Sequence, residues 1–169
     1  MMKKNEPAQV VHPFEPVIDS DAKVLILGSL PSVKSREQNF YYGHPQNRFW
    51  KVIANITDSE VPVTIEQKKE LLRHTRIAVW DVIASCTIIG SSDASIKDVK
   101  VNAVDELVEA FPIRAIFCNG KTAEKYCRKY LQDKIDLPMI TLPSTSPANA
   151  AWKTEALCET WKKEITPWL

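Results

Sequence analysis

Two short segments of this chain bring together residue types that can do chemistry. One is Gly-Ser-Leu-Pro-Ser at residues 28–32, and the other, residues 41–50, is dense in aromatic and polar side chains. Small hydroxyls and the free N–H groups of a helix start bind anions, phosphates especially. Aromatic faces can stack on a nucleobase, which is worth about 1–3 kcal/mol per base. The two segments predict an anion site beside a stacking platform.

Three polar side chains are candidates for catalysis or recognition. His44 could be an acid or a base, or its ring could be hydrogen-bonded at the start of a helix. Asn47 is a mediocre helix former beside His44, which indicates a polar task, although it could also cap the helix. Asp81 follows Val79 and Trp80 at the end of an apolar run. A carboxylate there could have a shifted pKa and a functional role, or could cap the next turn.

Apolar runs alternate with helical periodicities, which predicts an α/β fold with a mostly parallel sheet. Strands are predicted at residues 23–27, 76–82, 113–118 and 138–142. Helices are predicted at residues 46–56, 65–74, 102–111, 121–131 and 151–165, with 91–100 as a loop. The loops after the strands should meet at one edge, where α/β proteins place their sites. These loops are 28–32, 81–85, 119–121 and 144–149.

The aromatic residues of the second segment divide into two groups. Phe49 continues the apolar stripe of the predicted helix and should be core. Tyr41 and Tyr42 precede that helix and are better candidates for stacking. A basic rim around the loops could come from Lys34, Arg36, Arg48, Lys51, Lys121 and Lys153.

Length and charge bound the class of protein. The chain has 169 residues, which favours one domain, with residues 1–21 as a partly ordered lead-in and 22–169 as the folded unit. His12-Pro13-Phe14 could anchor the lead-in. With 22 basic and 21 acidic residues, the chain is not a strongly basic nucleic-acid-packaging protein. A local patch could still contact phosphates.

Cysteine usage and hydropathy indicate a cytoplasmic protein. Cys86, Cys118, Cys127 and Cys158 show neither CxxC pairing nor a His partner at metal spacing, so we expect buried free thiols and no metal or other cofactor. No apolar segment approaches the roughly 20 residues of a membrane span. The N-terminus lacks the apolar region of a secretory signal.

Common catalytic motifs are missing from the sequence. It contains no Walker loop, no Gly-x-Gly-x-x-Gly and no defensible triad spacing. A serine hydrolase using Ser29 or Ser32 is disfavoured, because no orienting partner is visible.

Four segments together resemble the uracil-DNA glycosylase superfamily, and more narrowly its hypoxanthine-DNA (deoxyinosine) glycosylase branch. They are residues 28–32, 42–50, 80–83 and 144–149. The resemblance implies a three-layer sandwich with a central four-stranded, mostly parallel sheet. It also implies a monomeric, monofunctional, metal-independent enzyme. Such an enzyme flips a deaminated base out of DNA and hydrolyses its N-glycosidic bond, leaving an abasic site.

The same resemblance implies roles for individual residues. Asn47 would be catalytic, orienting the attacking water, and Tyr42, Asp81 and His44 would bind the base. The DNA phosphates would be held by Gly28, Ser29, Pro31, Ser32, Ser144, Ser146 and Asn149.

Three positions depart from the best-known uracil enzymes. Leu30 replaces the usual water-activating Asp or Asn, Ser144 replaces a His, and Ala148 replaces a Leu wedge. These departures argue against strong uracil excision. A uracil or mismatch-type glycosylase and a catalytically weak nucleic-acid-binding module remain as alternatives, and the base could also be xanthine or ethenoadenine.

Overall fold

A computed structural model describes residues 6–11, 15–38, 40–90 and 92–169 of the chain. Its strands are β1 (Pro7–Val11), β2 (Val24–Gly28), β3 (Ile77–Asp81), β4 (Ile83–Ile89), β5 (Lys97–Val101), β6 (Ala115–Asn119) and β7 (Met139–Leu142). Its helices are α1 (Val33–Gln38), α2 (Phe49–Ile56), α3 (Ile65–Thr75), α4 (Val104–Ala110), α5 (Lys121–Tyr130) and α6 (Thr154–Ile165). The residues of the possible His12-Pro13-Phe14 anchor lie outside the described residues.

The central sheet has four parallel strands in the order β3-β2-β6-β7. This confirms the predicted parallel α/β fold. From β2 the chain proceeds to β3 on one side, and β6 lies against β2 on the other. Successive strands are therefore added on opposite sides of β2, and the direction of the chain across the sheet reverses between β2 and β6. In parallel sheets, ligands bind outside the carboxyl ends of the strands at such a point.

Alternation along β2 builds a core on each face of the sheet. Val24 and Ile26 pack with side chains of α2, α3 and α6. Leu25 and Leu27 face the other way and pack with α5 and the second sheet. Successive side chains of a strand point to opposite faces, so a strand buried on both faces is apolar throughout, as β2 is.

A second, three-stranded antiparallel sheet of order β1-β4-β5 was not predicted. It includes residues 7–11 of the expected lead-in, which pair with β4 from Pro7↔Ile89 to Val11↔Ser85. It also shows two loop predictions to be wrong, because β4 begins directly after Val82 and β5 occupies part of segment 91–100. Long-range pairing, which leaves no local signal in sequence, makes strands of these segments.

The four cysteines are buried and free, as the sequence predicted. Within the described ranges, no group of three or more His, Cys, Asp or Glu side chains could hold a metal ion. None of the helices described here is long and apolar enough to cross a membrane.

Candidate active site

A cavity of about 740 Å³ opens at the carboxyl ends of the central strands. The loops after β2, β6 and β7 line it, together with Asp81 at the end of β3 and Asn47 before α2. All of the predicted site residues except His44 line this cavity. The structure thus brings together the residues that the sequence assigned to one edge of the sheet.

Gly28 leaves room for two polar groups at the floor of the cavity. A Cβ atom at this position would lie 2.3 Å from Oδ1 of Asp81 and 3.2 Å from the hydroxyl oxygen of Tyr42. Because 2.3 Å is far inside van der Waals contact, a residue larger than glycine would displace the Asp81 carboxylate. Asp81 is itself 3 % exposed, so its carboxyl group is buried at the cavity floor.

Tyr42 combines a strained backbone with an unsatisfied hydroxyl. Its φ is +52°, in the left-handed region that a bulky residue rarely adopts. Its ring stacks on Phe49 with centroids 4.0 Å apart. The hydroxyl is buried and makes no hydrogen bond within the described part of the chain. Burial, and then the Asp81 carboxylate, raise the pKa of the phenol well above its ordinary value.

Asn47 has its side-chain oxygen fully engaged. Oδ1 accepts from the backbone N–H of Phe49 at 2.9 Å and from Oγ1 of Thr145 at 2.9 Å. A backbone N–H is only a donor, so it fixes which end of the amide is the oxygen. These contacts leave Nδ2, a donor, for the cavity. The first contact also explains why α2 begins at Phe49 rather than at residue 46 as predicted.

Thr145 is fully buried and joined to Asn119 by two hydrogen bonds. The Thr145 N–H donates to Oδ1 of Asn119, and Nδ2 of Asn119 donates to Oγ1 of Thr145, each at 3.1 Å. Gly120 allows the two loops to approach, because a Cβ there would lie 2.9 Å from Cβ of Ser144 and its φ is +95°. The loop after β6 and the loop after β7 are thereby locked together.

The loop after β7 uses its side-chain oxygens internally. Oγ of Ser144 accepts from the N–H of Ser146, and Oγ of Ser146 accepts from the N–H of Ala148. Nδ2 of Asn149 donates to the carbonyl of Ser144. Each serine keeps its own O–H hydrogen as a donor, so this wall of the cavity can offer donors to an anion.

Ser32 is engaged more completely than the other predicted phosphate ligands. Its Oγ accepts from the N–H of Ser35 and donates to Oγ of Ser35. Oγ of Ser35 in turn accepts from the N–H of Gly43 at 2.8 Å. Ser32 lines the cavity together with Gly28, Ser29 and Pro31, and its Oγ also supports the site through Ser35.

Arg48 does not contribute to the predicted basic rim. Its guanidinium donates to the carbonyls of Ser146, Asn149 and Trp152. Lys51 and Lys153 do not line the cavity, and the side chain of Lys34 lies outside the described residues. Among the described side chains, the cations that line the cavity are Arg36 and Lys121.

Two further predicted residues, Tyr41 and His44, precede α2 and have structural contacts of their own. Tyr41 is 2 % exposed, its ring packs edge-on against Phe40, and its hydroxyl donates to the carbonyl of Glu15, so it belongs to the core rather than to a stacking platform. His44 does not line the cavity, and its Nδ1 accepts from the N–H of Gln46 in the turn before α2, so its proposed contact with the base stays a prediction. Phe49 is buried, which confirms that prediction.

Sequence reasoning assigned no role to Asn119 or Ser35, and counted Thr145 only as one of several hydroxyls. Asn119 stands at the end of an apolar strand, as Asp81 does, and this shared position was the available signal. Ser35 and Thr145 act through contacts with residues of other loops, which local pattern does not reveal.

The fold and this cavity define a member of one family. The profile described as "Uracil DNA glycosylase superfamily" matches residues 15–169, and the chain belongs to that superfamily. It is 37% identical over 138 residues to a hypoxanthine DNA glycosylase of Methanosarcina acetivorans, covering 80% of this chain and 86% of the relative. A hypoxanthine DNA glycosylase of Methanosarcina barkeri is 35% identical over 115 residues, and the match covers 67% of this chain and 73% of that relative.

A solved structure agrees with these relatives. The solution NMR structure of a candidate uracil DNA glycosylase from Methanosarcina acetivorans superposes with a TM-score of 0.78 at 34% identity. The match covers 89% of this chain and 93% of that one. Most of the chain therefore shares the architecture of that structure.

Proposed function

We propose that this protein is a monofunctional DNA glycosylase that releases hypoxanthine from deoxyinosine in DNA. Water would supply the oxygen that bonds to C1′, the bond from C1′ to N9 of the base would break, and the base would leave carrying a proton. The observation that carries the proposal is the amide donor of Asn47 in the same cavity as the buried Asp81 and Tyr42 polar atoms. The curated relatives named hypoxanthine DNA glycosylase support the choice of base.

The floor of the cavity suits the hydrogen-bonding edge of a deaminated base. The Asp81 carboxylate is an acceptor, and the Tyr42 hydroxyl is a donor beside the same glycine. Hypoxanthine presents an N1–H donor next to its O6 acceptor, whereas adenine presents the reverse pattern. The carbonyl oxygen of the base would also satisfy the Tyr42 hydroxyl, whose unmet hydrogen bond costs about 1–3 kcal/mol.

Asn47 would act by position and electrostatics rather than as a base. An amide does not accept a proton at neutral pH, and here Oδ1 already accepts two hydrogen bonds. Its Nδ2 can donate to the oxygen of the attacking water and hold it in the cavity. Phosphates flanking the lesion would bind the loops of Gly28, Ser29 and Pro31 and the hydroxyls and amide of Ser144, Ser146 and Asn149, with Ser32 in support. We also propose that the enzyme acts as a monomer.

Uracil has the same donor and acceptor arrangement at N3 and O4, so a uracil or mismatch-type enzyme is the second candidate. Leu30 supports a third, a binding module without catalysis, because an aliphatic side chain cannot activate water. A panel of duplexes carrying deoxyinosine, deoxyuridine, deoxyxanthosine or ethenoadenine discriminates these functions. The enzyme is incubated with each duplex in buffer containing a chelator, and alkali then cleaves at abasic sites.

Cleavage that is fastest at deoxyinosine is the expected result. Fastest cleavage at uracil assigns the protein to the second function, and tight binding of inosine DNA with no base release assigns it to the third. Intact strands throughout, with a folded protein that does not bind, overturn all three.

Two variants of Asn47 test its role. Asn47→Asp keeps an oxygen for the Phe49 N–H and the Thr145 hydroxyl but removes the Nδ2 donor. Both Asn47→Asp and Asn47→Ala should lower single-turnover base release by about 10²- to 10³-fold, since that is the usual cost of losing one aimed donor. Gel-shift affinity for the DNA should stay close to that of the wild type. A faster Asn47→Asp enzyme would show that the site needs a base at this position and not a donor.

A further inference from the structure

A fully buried hydroxyl couples the proposed catalytic amide to the end of a neighbouring strand. Oγ1 of Thr145 lies 2.9 Å from Oδ1 of Asn47 and 3.1 Å from Nδ2 of Asn119. Thr145 is 0% exposed, so no water competes for these hydrogen bonds. The three side chains come from the turn before α2, from the end of β6 and from the loop after β7.

Backbone N–H groups determine the direction of each hydrogen bond that joins Asn119, Thr145 and Asn47. The N–H of Thr145 can only donate, so the atom of Asn119 that faces it is Oδ1, and Nδ2 of Asn119 must donate to the threonine hydroxyl. At the other end, the N–H of Phe49 fixes Oδ1 of Asn47. The single hydrogen of the Thr145 hydroxyl therefore points at Oδ1 of Asn47.

These hydrogen-bond directions have two consequences for Asn47. Its amide plane is held by two donors from different elements, so Nδ2 has one orientation toward the cavity. Donation into Oδ1 also polarises the amide, and consecutive hydrogen bonds in a dry interior strengthen one another. Without the threonine hydroxyl, the side chain would keep the single contact from Phe49 and could rotate about it.

We propose that Thr145, held by Asn119, is a positioning residue that orients and polarises the Asn47 amide for base release. The inference rests on the proposed function. It also assigns Asn119 a supporting role, since both polar atoms of its amide already contact Thr145. The alternative is that these hydrogen bonds only tie two loops together.

Thr145→Val tests the proposal, because valine keeps the shape of threonine and removes the hydroxyl. The single-turnover rate of base release from deoxyinosine DNA should fall about 10- to 100-fold, since small misplacements of a catalytic group cost up to about 10²-fold. The KM and the affinity for inosine DNA should change less than about twofold. Thr145→Ser retains the hydroxyl and should recover most of the rate.

Thr75→Val is the matched control. The Thr75 hydroxyl donates to the carbonyl of Leu71 at 2.7 Å in α3, and Thr75 does not line the cavity. Its loss should leave the rate unchanged. The double variant Asn47→Ala/Thr145→Val should be no slower than Asn47→Ala alone, because the hydroxyl acts through Asn47. A tie between loops would instead lower the rate in both backgrounds.

A spectroscopic measurement makes the proposal independent of turnover. In ¹⁵N–¹H spectra, the side-chain amide pair that disappears in Asn47→Ala belongs to Asn47. That pair should shift in Thr145→Val and stay near its wild-type position in Thr145→Ser. An unshifted pair, a wild-type rate for Thr145→Val, or additive losses in the double variant each overturn the positioning role. A wild-type enzyme that releases no base from any duplex overturns the proposed function instead.

Discussion

At the scale of single residues, the side-chain oxygens around the cavity accept hydrogen bonds from backbone N–H groups. Asn47 and Asn119 have their amide oxygens committed to backbone N–H groups, and Ser144 and Ser146 do the same with their hydroxyl oxygens. What remains for the cavity are the Nδ2 donor of Asn47 and the O–H donors of Ser144 and Ser146. Anionic phosphates and a base carrying carbonyl oxygens are the ligands that such a surface complements. Asp81 adds a buried carboxylate to this cavity, and in the proposed function that carboxylate would accept from the N–H of the base.

The phenol of Tyr42 leads to a prediction about alkaline stability. Its pKa is raised, first by burial and then by Asp81, above the ordinary value of 10.0. Below about pH 10 the phenol is protonated in both the folded and the unfolded state. Above it the unfolded state loses the proton and the folded state keeps it, so the free energy of unfolding falls by about 1.4 kcal/mol per pH unit.

Tyr42→Phe removes this group and keeps the ring. Urea unfolding of both proteins at several pH values between about 9 and 11.5 should give a shallower decline for the variant, by about 1.4 kcal/mol per unit. The buried Tyr41 remains in both proteins and cancels in the comparison. Equal slopes would mean that the Tyr42 phenol ionises in the folded protein as it does in water.

At the scale of elements, the strands of the central sheet could be predicted, and those of the second sheet could not. Strand β2 is buried on both faces, so its apolar run is a local signal. Strand β5 is partly exposed and polar, and its pairing with β4 makes it a strand. The start of α2 was predicted too early for a similar reason, since Asn47 hydrogen-bonds to Phe49 and to a loop 98 residues away.

Arg48 connects two elements, and its removal tests that connection. The guanidinium binds three carbonyls of the loop after β7, and the Arg48 N–H donates to the carbonyl of Thr145. Arg48→Ala should lower the free energy of unfolding by about 1–3 kcal/mol, the usual range for hydrogen bonds from a charged donor. Hydrogen exchange of the backbone amides of residues 144–152 should accelerate. Base release should slow, because residues of this loop line the cavity.

Lys51→Ala is the control for this prediction, because Lys51 is an exposed cation on α2. Substitution of such a surface residue usually changes stability by less than about 0.5 kcal/mol. Unchanged exchange of residues 144–152 in Arg48→Ala would show that the loop is held by its own internal hydrogen bonds.

At the scale of the whole molecule, the chain carries very little net charge. The net charge is +1, and Arg36 and Lys121 are the described cations that line the cavity. The cavity is instead lined mainly by hydroxyls and amides on loops that follow the parallel strands. Sequence could predict that these loops converge, since parallel strands require it. It could not predict which hydroxyls and amides would be used for mutual support, because those contacts depend on three-dimensional approach.

This arrangement predicts weak salt dependence of DNA binding. The slope of log K against log [salt] is about −0.9 for each phosphate neutralised by a cation on duplex DNA. With two cations at the cavity, the slope for inosine-containing duplex should be about −1.8, and affinity should fall about 12-fold between 50 and 200 mM salt. Fluorescence anisotropy across that range measures it. Lys121→Ala should make the slope shallower by about one unit, whereas Lys51→Ala should leave it unchanged. A slope of about −6 or steeper would mean that DNA contacts a basic surface well beyond the cavity.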